Sequence, residues 1–335
     1  MARVHRRAAW LALVLLGASL ALLGVGAAVG STGWSDLEAL GQDPSAWPIV
    51  RDIRLPRSLG AWLAGALLGL AGAVAQGLFR NPLADPFLLG SASGASLGVA
   101  LALALFGISP QAVSWLATLG LTGAAFVGAM GAVLLTLALA RGVQHTLRLL
   151  LAGVIVGVVL GALGSLITLM APETLPAMQA FLLGSTGFVG WPACVPMAAA
   201  FVLCLLVAWI VSPVLDGLSL GEATARSLGL PLGPLRLALV AVLALATGAA
   251  VAQTGLIAFV GLAAPHLVRS VVKTTHARLV ALSALAGGVL LLGADLLARA
   301  LIAPQELPVG VLTAVLGGGY LLWLMHFGRG SKGAL

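Results

Sequence analysis

The stretch AVAQGLFRNPLADPFLL, residues 73–89, joins two long apolar runs through a short polar turn. Much of it is repeated later in the chain. AVAQ recurs at 250–253, and GLAAPHLV at 261–268 corresponds to PLADPFLL. The two copies are offset by 177 to 179 residues. By our reading of the apolar runs, five membrane spans fall within that offset, and an odd number turns the second copy upside down. The similarity of the two segments therefore predicts an inverted internal repeat, which is typical of transporters.

The composition around this repeat is that of a membrane protein. The 335 residues are 61% apolar and 8% charged, with a mean hydropathy of +1.13, whereas soluble domains carry roughly 25% charged residues. The apolar runs are continuous rather than alternating, which argues against a β-barrel. At about 20 residues per span, they leave room for about ten helices. We therefore predict an all-α polytopic membrane protein with about ten transmembrane helices, packed closely through its 44 glycines.

The N-terminus combines a basic head, with Arg3, Arg6 and Arg7, with a long apolar run. A cleaved signal peptide has a shorter apolar core of about 7–15 residues. We interpret this segment as a retained first helix whose basic end faces the cytoplasm, with cleavage as the alternative.

The remaining spans then alternate across the membrane. The predicted helices are 8–30, 57–79, 87–107, 113–140, 148–170, 191–211, 234–252, 257–273, 279–300 and 308–327. They form a single permease domain in which repeat one is 57–170, a sixth helix and a cytoplasmic loop (212–233) follow, and repeat two is 234–327. Both termini are predicted to be cytoplasmic.

The net charge of +7 fits cytoplasmic loops that are rich in Lys and Arg better than it fits nucleic-acid binding. On this topology all but four of the 17 Lys and Arg residues are cytoplasmic. The exceptions are Arg51, Arg54 and Arg57 in RDIRLPRSLG, together with Arg299. The positive-inside tendency opposes such a cluster on the outer side, so these arginines are candidates for a specific role.

The cytoplasmic loop 212–233 contains a predicted short helix. Ser219 followed by Glu222 suggests a capping box, and Gly229 with a following proline suggests a left-handed C-cap. Glu222 and Arg226 are spaced for an i, i+4 ion pair. A short capped helix outside the membrane is a candidate docking site for a partner, although an ordinary loop helix has the same pattern.

The chain lacks the motifs of an enzyme. It has no G-x-x-x-x-G-K-[ST] phosphate loop, no H-E-x-x-H, and no C-x-x-C. Cys194 and Cys204 are interpreted as small buried hydrophobes. The candidate carboxylates for ion coupling are Asp85 at a boundary and Asp295, which is spaced to pair with Arg299. We therefore predict no catalytic residue and no metal site, and expect uphill transport to draw energy from another subunit.

Small residues form stripes on the fifth and tenth predicted helices. Gly153, Gly157, Gly161 and Gly164 share one face of the fifth helix, and Gly310, Ala314 and Gly317 are spaced similarly on the tenth. Such a stripe is usually a packing face, but the smooth wall of a pathway has the same pattern.

Five segments together resemble the FecCD-type permease subunits of bacterial ABC importers for haem, ferric siderophores and cobalamin. They are RLPR, GLFRNPLADPFLLG, LSLGEATARSLG, FVGLAAPHLVR and ADLLARALIAPQELPVGVLTA, in order from about residue 50 to 325. Two segments depart from the family pattern: KTTHAR stands where a DHR-like turn is frequent, and GGGYLLWL where Pro-Phe-Phe is common.

The resemblance implies the type II ABC importer permease fold in a bacterial inner membrane. It implies a homodimer that works with two cytoplasmic ATPase subunits, which bind the ATP, and with a periplasmic substrate-binding protein. No cofactor is bound permanently and no nucleic acid is a partner.

The resemblance also assigns roles to residues. Arg54, Arg57 and Arg299, with Arg51 as this sequence's own addition, would receive acidic residues of the binding protein. The ATPase would seat on the segment that contains Ser219, Leu220, Gly221, Glu222, Arg226 and Gly229. The solute pathway at the dimer interface would include Gly153, Gly157, Gly161, Gly164, Gly310, Thr313 and Ala314.

Within the family the overall likeness favours haem, followed by a ferric siderophore and then cobalamin. An ion-coupled secondary carrier and a channel-like membrane protein are the alternatives from other classes.

Overall fold

The computed structural model describes residues 2–29, 46–106, 115–140 and 146–327. This part of the chain consists of helices and turns. The helices are α1 Ala2–Ala28, α2 Leu55–Phe79, α3 Ser91–Phe106, α4 Trp115–Leu139, α5 Thr146–Met170, α6 Leu175–Leu183, α7 Trp191–Ser219, α8 Glu222–Ser227, α9 Leu232–Thr254, α10 Val260–Val271, α11 His276–Ala300 and α12 Val309–Phe327. A helical turn, Ala46–Ile49, and a π-helical turn, Val50–Arg54, lead directly into α2.

The all-α membrane fold is confirmed, because every predicted span coincides with a helix of the described residues. Seven helical segments are long and apolar enough to cross a membrane: His5–Ala28, Trp47–Phe79, Gly120–Leu139, Thr146–Met170, Trp191–Ser219, Leu232–Thr254 and His276–Ala300. Two shorter apolar helices match the third and tenth predicted spans. The eighth, α10, has only 12 residues and a length of about 18 Å, which is less than the ~30 Å hydrocarbon core.

The turn after α2 explains why the third span begins later than predicted. Asp85 accepts a hydrogen bond from the Phe87 N–H at 2.8 Å and caps a 3-10 turn, Pro86–Leu89. Gly90 then adopts a left-handed conformation, φ 81°, before α3 starts at Ser91. The polar turn that the sequence shows therefore extends four residues further than the hydropathy suggested.

The sixth predicted span is too short, because α7 continues to Ser219 rather than ending near residue 211. Pro213 lies inside the helix and lacks the N–H that would bond the Trp209 carbonyl. In the structure, the Ser212 hydroxyl donates to that carbonyl at 2.7 Å. The side chain thus supplies the missing donor and the helix continues through the proline.

The core lies around α2, where 89% of the most apolar window is buried against 22% in each of α1 and α5. Its neighbours include α7, α9, α10 and α11. Glycines bring these helices into backbone contact. A Cβ on Gly65 would overlap the Gly287 carbonyl of α11, and one on Gly72 would overlap the Gly261 carbonyl of α10. Close helix packing through small residues is what holds helices together in lipid.

The two predicted halves have the same order of elements. AVAQ 73–76 lies near the end of α2 and AVAQ 250–253 in the last turn of α9, and each is followed by an irregular segment and a short proline-containing helical element. The repeated segments also contact each other, since the Gln76 amide donates to the Leu262 carbonyl at 3.2 Å. The boundaries of the two repeats stay a prediction.

The two cysteines are buried free thiols, as predicted. Cys194 is 3% exposed and Cys204 is fully buried. Each thiol donates to a backbone carbonyl, Cys194 to Pro56 and Cys204 to Val242. Both therefore pack as small side chains between α7 and its neighbours.

Gly72→Ala is expected to destabilise the fold, because the added methyl group overlaps the Gly261 carbonyl and must push α2 and α10 apart. Overpacking of this kind costs about 1–3 kcal/mol. Thermal unfolding of the purified chain in detergent, followed by circular dichroism, measures the loss. Gly24→Ala in α1 is the matched control, because no atom lies within 4 Å of its added Cβ. Equal stability of the two variants would contradict the assigned α2–α10 contact.

Candidate docking and coupling sites

The four exceptional arginines do not form one exposed cluster, and their docking role stays a prediction. Arg51 is exposed and pairs with Asp52 at 3.0 Å, the two side chains being 68% and 48% exposed. Arg54 is buried and donates to the Ala28 carbonyl at 3.1 Å, at the end of α1. Arg299 is also buried, at 2% exposure. The segment RDIRLPR is helical, and so its arginines point to different sides rather than to a common surface.

A network of buried charges accounts for Arg57 and Arg299. The Arg57 guanidinium donates to both oxygens of Glu306, at 2.9 and 2.8 Å, and to Asp295 at 3.2 Å. Arg299 and the Thr186 hydroxyl also donate to Asp295, which is fully buried. The predicted pairing of Asp295 with Arg299 is confirmed. Two arginines and two carboxylates give the group no formal net charge, as burial of ions requires.

This network joins three separate parts of the chain: the start of α2, the end of α11 and the loops next to α6 and α12. Glu306 lies in the loop before α12 and its side chain is 28% exposed. Hydrogen bonding to Arg57 is the main reason why the pKa of Glu306 lies below its ordinary value. Glu306 was not among the predicted site residues, although an acid in a loop predicted to lie on the same side as four arginines was a usable signal.

At the opposite end of the molecule, α8 forms the predicted short helix but without the predicted capping box. Ser219 is the last residue of α7, and its hydroxyl donates to the Asp216 carbonyl at 2.6 Å. The residue before α8 is Gly221, at φ 105°, and no side chain caps the helix. The prediction failed because α7 is longer than expected. The left-handed Gly229 after α8 is confirmed, at φ 77°.

The predicted pair of Glu222 and Arg226 is confirmed at 2.7 Å, and a third residue completes it. Arg236 of α9, whose side chain is 3% exposed, contacts Glu222 at 3.1 Å. Hydrogen bonding to Arg236 is the main cause that lowers the pKa of Glu222. Glu222 thus attaches α8 to α9, because its partner Arg236 is buried within the helical body.

The outer surface of α8 remains open in the single chain. Leu220 and Leu228, which flank the helix, are 66% and 63% exposed, and the Arg226 side chain is 63% exposed. Beneath them Ala225 is fully buried. One face of the helix therefore packs against the protein. The opposite face exposes leucines and a basic side chain, which suits contact with another protein.

The glycines of α5 lie against α3 and the turn before it in the same chain, and their assignment to a pathway wall stays a prediction. A Cβ on Gly153 would overlap the Leu88 carbonyl, and one on Gly164 would lie 3.8 Å from Leu97. Gly157 and Gly161 approach Ser93 in the same way. The opposite face of α5 is exposed and carries large apolar side chains: Leu151, Val154, Ile155, Val158, Leu166 and Leu169.

The small residues of α12 also serve the packing of their own chain. Gly310 lies against the Leu183 and Leu256 carbonyls, and Gly317 lies against Phe259. Thr313 is 6% exposed and donates to the Gly310 carbonyl at 3.0 Å, while Ala314 is partly exposed. The exposed face of α12 consists of larger residues, among them Val315 and Leu322.

Glu306→Gln is expected to destabilise the protein by about 1–2 kcal/mol at pH 7, because Arg57 loses the carboxylate to which it donates two hydrogen bonds. The lowered pKa of Glu306 makes its contribution complete above the unfolded value of about 4.3. That contribution disappears as the pH falls through the lower folded value. The difference in unfolding temperature between wild type and variant should therefore shrink below about pH 4.

Asp52→Asn is the control for this experiment, since it removes an exposed ion pair worth about 0–1 kcal/mol. A constant difference between wild type and Glu306→Gln from pH 7 to pH 3 would show that ionised Glu306 does not stabilise the fold.

Both the sequence and the fold are similar to those of known proteins. The sequence matches the FecCD transport family over residues 11–327. It is 38% identical over 282 residues to the hemin transport system permease protein HmuU of Yersinia pestis, covering 83% of each chain. It is 42% identical over 279 residues to the vitamin B12 import system permease protein BtuC of Salmonella paratyphi A, covering 82% of this chain and 83% of the relative.

A solved structure has the same fold. It is described as an inward-facing conformation of a metal-chelate type ABC transporter, and it superposes with a TM-score of 0.81 at 31% identity. The match covers 97% of this chain and 99% of the solved one. The chain therefore belongs to the FecCD transport family and is the membrane permease subunit of a type II ABC importer, in which a separate partner subunit carries the ATPase activity.

Proposed function

We propose that this permease imports haem across a bacterial inner membrane, as a homodimer with two cytoplasmic ATPase subunits and a periplasmic binding protein. Both termini face the cytoplasm in this proposal. The N-terminal basic residues, Lys273 before α11 and Arg278 in the first turn of α11 are then on the side where positive charge gathers.

The substrate class is supported by the relatives. One is named for hemin and the other for vitamin B12, and both compounds are large metal-containing macrocycles. Haem is proposed first, on the overall likeness to the haem branch, and cobalamin is the second candidate because the B12 permease is 42% identical. A ferric siderophore is the third chelate to test.

The ATP-driven mechanism is supported by the geometry of α8. This short helix is attached to α9 through Glu222 and Arg236, and the side that faces away from α9 is exposed. A subunit that binds α8 can move α9 with it, because the Glu222–Arg236 ion pair joins the two helices. We propose that the ATPase seats on Leu220, Arg226 and Leu228.

An ion-coupled carrier is disfavoured by the state of the two candidate carboxylates. Asp295 is paired with Arg57 and Arg299 in the buried network. Asp85 caps the 3-10 turn after α2 by accepting from the Phe87 N–H. Burial raises the pKa of Asp85, but its structural contact explains why it is there.

The docking of a binding protein is proposed at the outer ends of α2 and α11. Arg51 is exposed there and is the arginine most accessible to an acidic partner. Arg57 is available only if a partner carboxylate displaces Glu306. We propose that Arg54 and Arg299 support this surface from inside rather than contact the partner, since both are buried.

Uptake into proteoliposomes tests the proposed function. Haem is expected to accumulate only when the permease, a matching ATPase, the binding protein and ATP are all present. Cobalamin and a ferric siderophore, supplied with the same components, serve as competing substrates. Accumulation without ATP would overturn the import mechanism, and transport of cobalamin without haem would overturn the substrate.

Two charge reversals are expected to separate the two partner surfaces. Arg51→Glu should slow association of the binding protein severalfold at low salt, with less effect at high salt, because exposed charges mainly steer encounter. Glu222→Arg should weaken ATPase assembly, because Arg236 loses its partner and α8 loses its attachment.

Each variant is the control for the other, since the charges lie at opposite ends of the molecule. Binding-protein association should be normal in Glu222→Arg, and ATPase assembly should be normal in Arg51→Glu. The docking proposal is wrong if Arg51→Glu leaves both the association rate and its salt dependence unchanged. Normal ATPase assembly in Glu222→Arg would remove the role of α8.

A further inference from the structure

Three aromatic rings form a continuous surface where α10 meets α12, and we call it the aromatic ledge: His266, Tyr320 and Trp323. The rings of His266 and Tyr320 meet edge to face at 5.8 Å and 71°, and those of Tyr320 and Trp323 stack at 6.4 Å and 23°. Trp323 is 58% exposed. Tyr320 is the only tyrosine in the sequence and belongs to GGGYLLWL, one of the two segments that depart from the family pattern.

Beside the ledge lies a cation with an unusual partner. Arg269 is one helical turn beyond His266 on α10, and its guanidinium donates to the Gln76 Oε1 atom, at 2.6 Å from Nη1. The Gln76 amide is itself fixed by the Leu262 carbonyl. The contact is therefore rigid, and it holds the guanidinium in one place.

No carboxylate of the described residues pairs with Arg269. Arg57, Arg226, Arg236 and Arg299 each contact an Asp or Glu, whereas the acceptor for Arg269 is a neutral amide. A partly buried cation that is not neutralised is costly. An incoming carboxylate would offset that cost, and the guanidinium retains N–H groups that Gln76 does not use.

The position of this group matches the end of a transport route. α10 ends at Val271, shortly before Lys273 and before Arg278 in the first turn of α11. The ledge and Arg269 are thus at the end of the molecule where the imported solute would leave.

We propose that Arg269 and the aromatic ledge form an exit subsite that binds a flat ring carrying carboxylates. The ring lies against Tyr320 and Trp323 through aromatic stacking, and a carboxylate binds the fork of Arg269. This deepens the proposed function and rests on it, because haem is a flat macrocycle with two propionate carboxylates. Cobalamin carries amides at its periphery and does not provide this ion pair.

Spectrophotometric titration tests the subsite with the purified permease in phosphatidylcholine nanodiscs, without ATPase or binding protein. The probes are haem and its dimethyl ester, in which both carboxylates are blocked. Arg269→Gln is expected to weaken haem binding about tenfold and to leave binding of the ester unchanged. Wild type should bind haem about tenfold more tightly than the ester.

Arg7→Gln in α1 is the matched control and should bind haem like wild type, because Arg7 is exposed on a helix that does not carry the ledge. Arg269→Lys keeps the charge but loses the planar fork, and Tyr320→Leu removes the central ring; both should weaken haem binding. These two variants decide the question if Arg269→Gln does not fold.

The subsite is overturned if haem and its ester bind wild type equally, or if the Arg269 and Tyr320 variants bind haem like Arg7→Gln. That result leaves the proposed function intact when the proteoliposomes still import haem. Conversely, Arg269-dependent binding in a permease that imports another chelate overturns the proposed substrate and leaves the subsite.

Discussion

The structure depends on backbone-to-backbone packing around α2. In a bilayer the hydrophobic effect does not press helices together, so attraction between them comes from close van der Waals contact. Gly65 and Gly72 allow α2 to lie directly against carbonyl groups of α11 and α10. A helix from the first half of the sequence is thereby surrounded by helices of the second half. Both functional ends of the molecule are carried by helices that meet on this centre.

Charged residues are few, and those in the helical body are neutralised locally. At one end of the molecule Arg57, Arg299, Asp295 and Glu306 form one compensated group. At the other end Glu222 joins α8 to Arg236. Arg57 and Glu306 are 249 residues apart, whereas Glu222 and Arg236 are 14 residues apart. In both places the ion pairs define how a loop or short helix attaches to a long helix. Arg269 differs from these arginines because its partner is an amide.

The sequence was sufficient for the class of fold and for most of the helices, because continuous apolar runs and the repeated AVAQ segments are strong local patterns. It was less informative where one side chain changes the outcome. Ser212 allows α7 to pass Pro213, and this displaced the expected capping box at Ser219. Hydropathy also cannot show which face of α5 packs inward, so the glycine stripe was ambiguous. Glu306 was missed because its partner, Arg57, is 249 residues away.

The continuation of α7 through Pro213 has a geometric consequence for the assembly. Its 29 residues make a rod of about 43 Å, while the hydrocarbon core is about 30 Å thick. If α7 begins near the outer boundary of that core, its last turns extend about 10 Å past the inner one. The segment that follows α7, which contains α8, therefore lies at the level of the lipid headgroups. A water-soluble motor subunit can engage it there without desolvating its own surface against lipid.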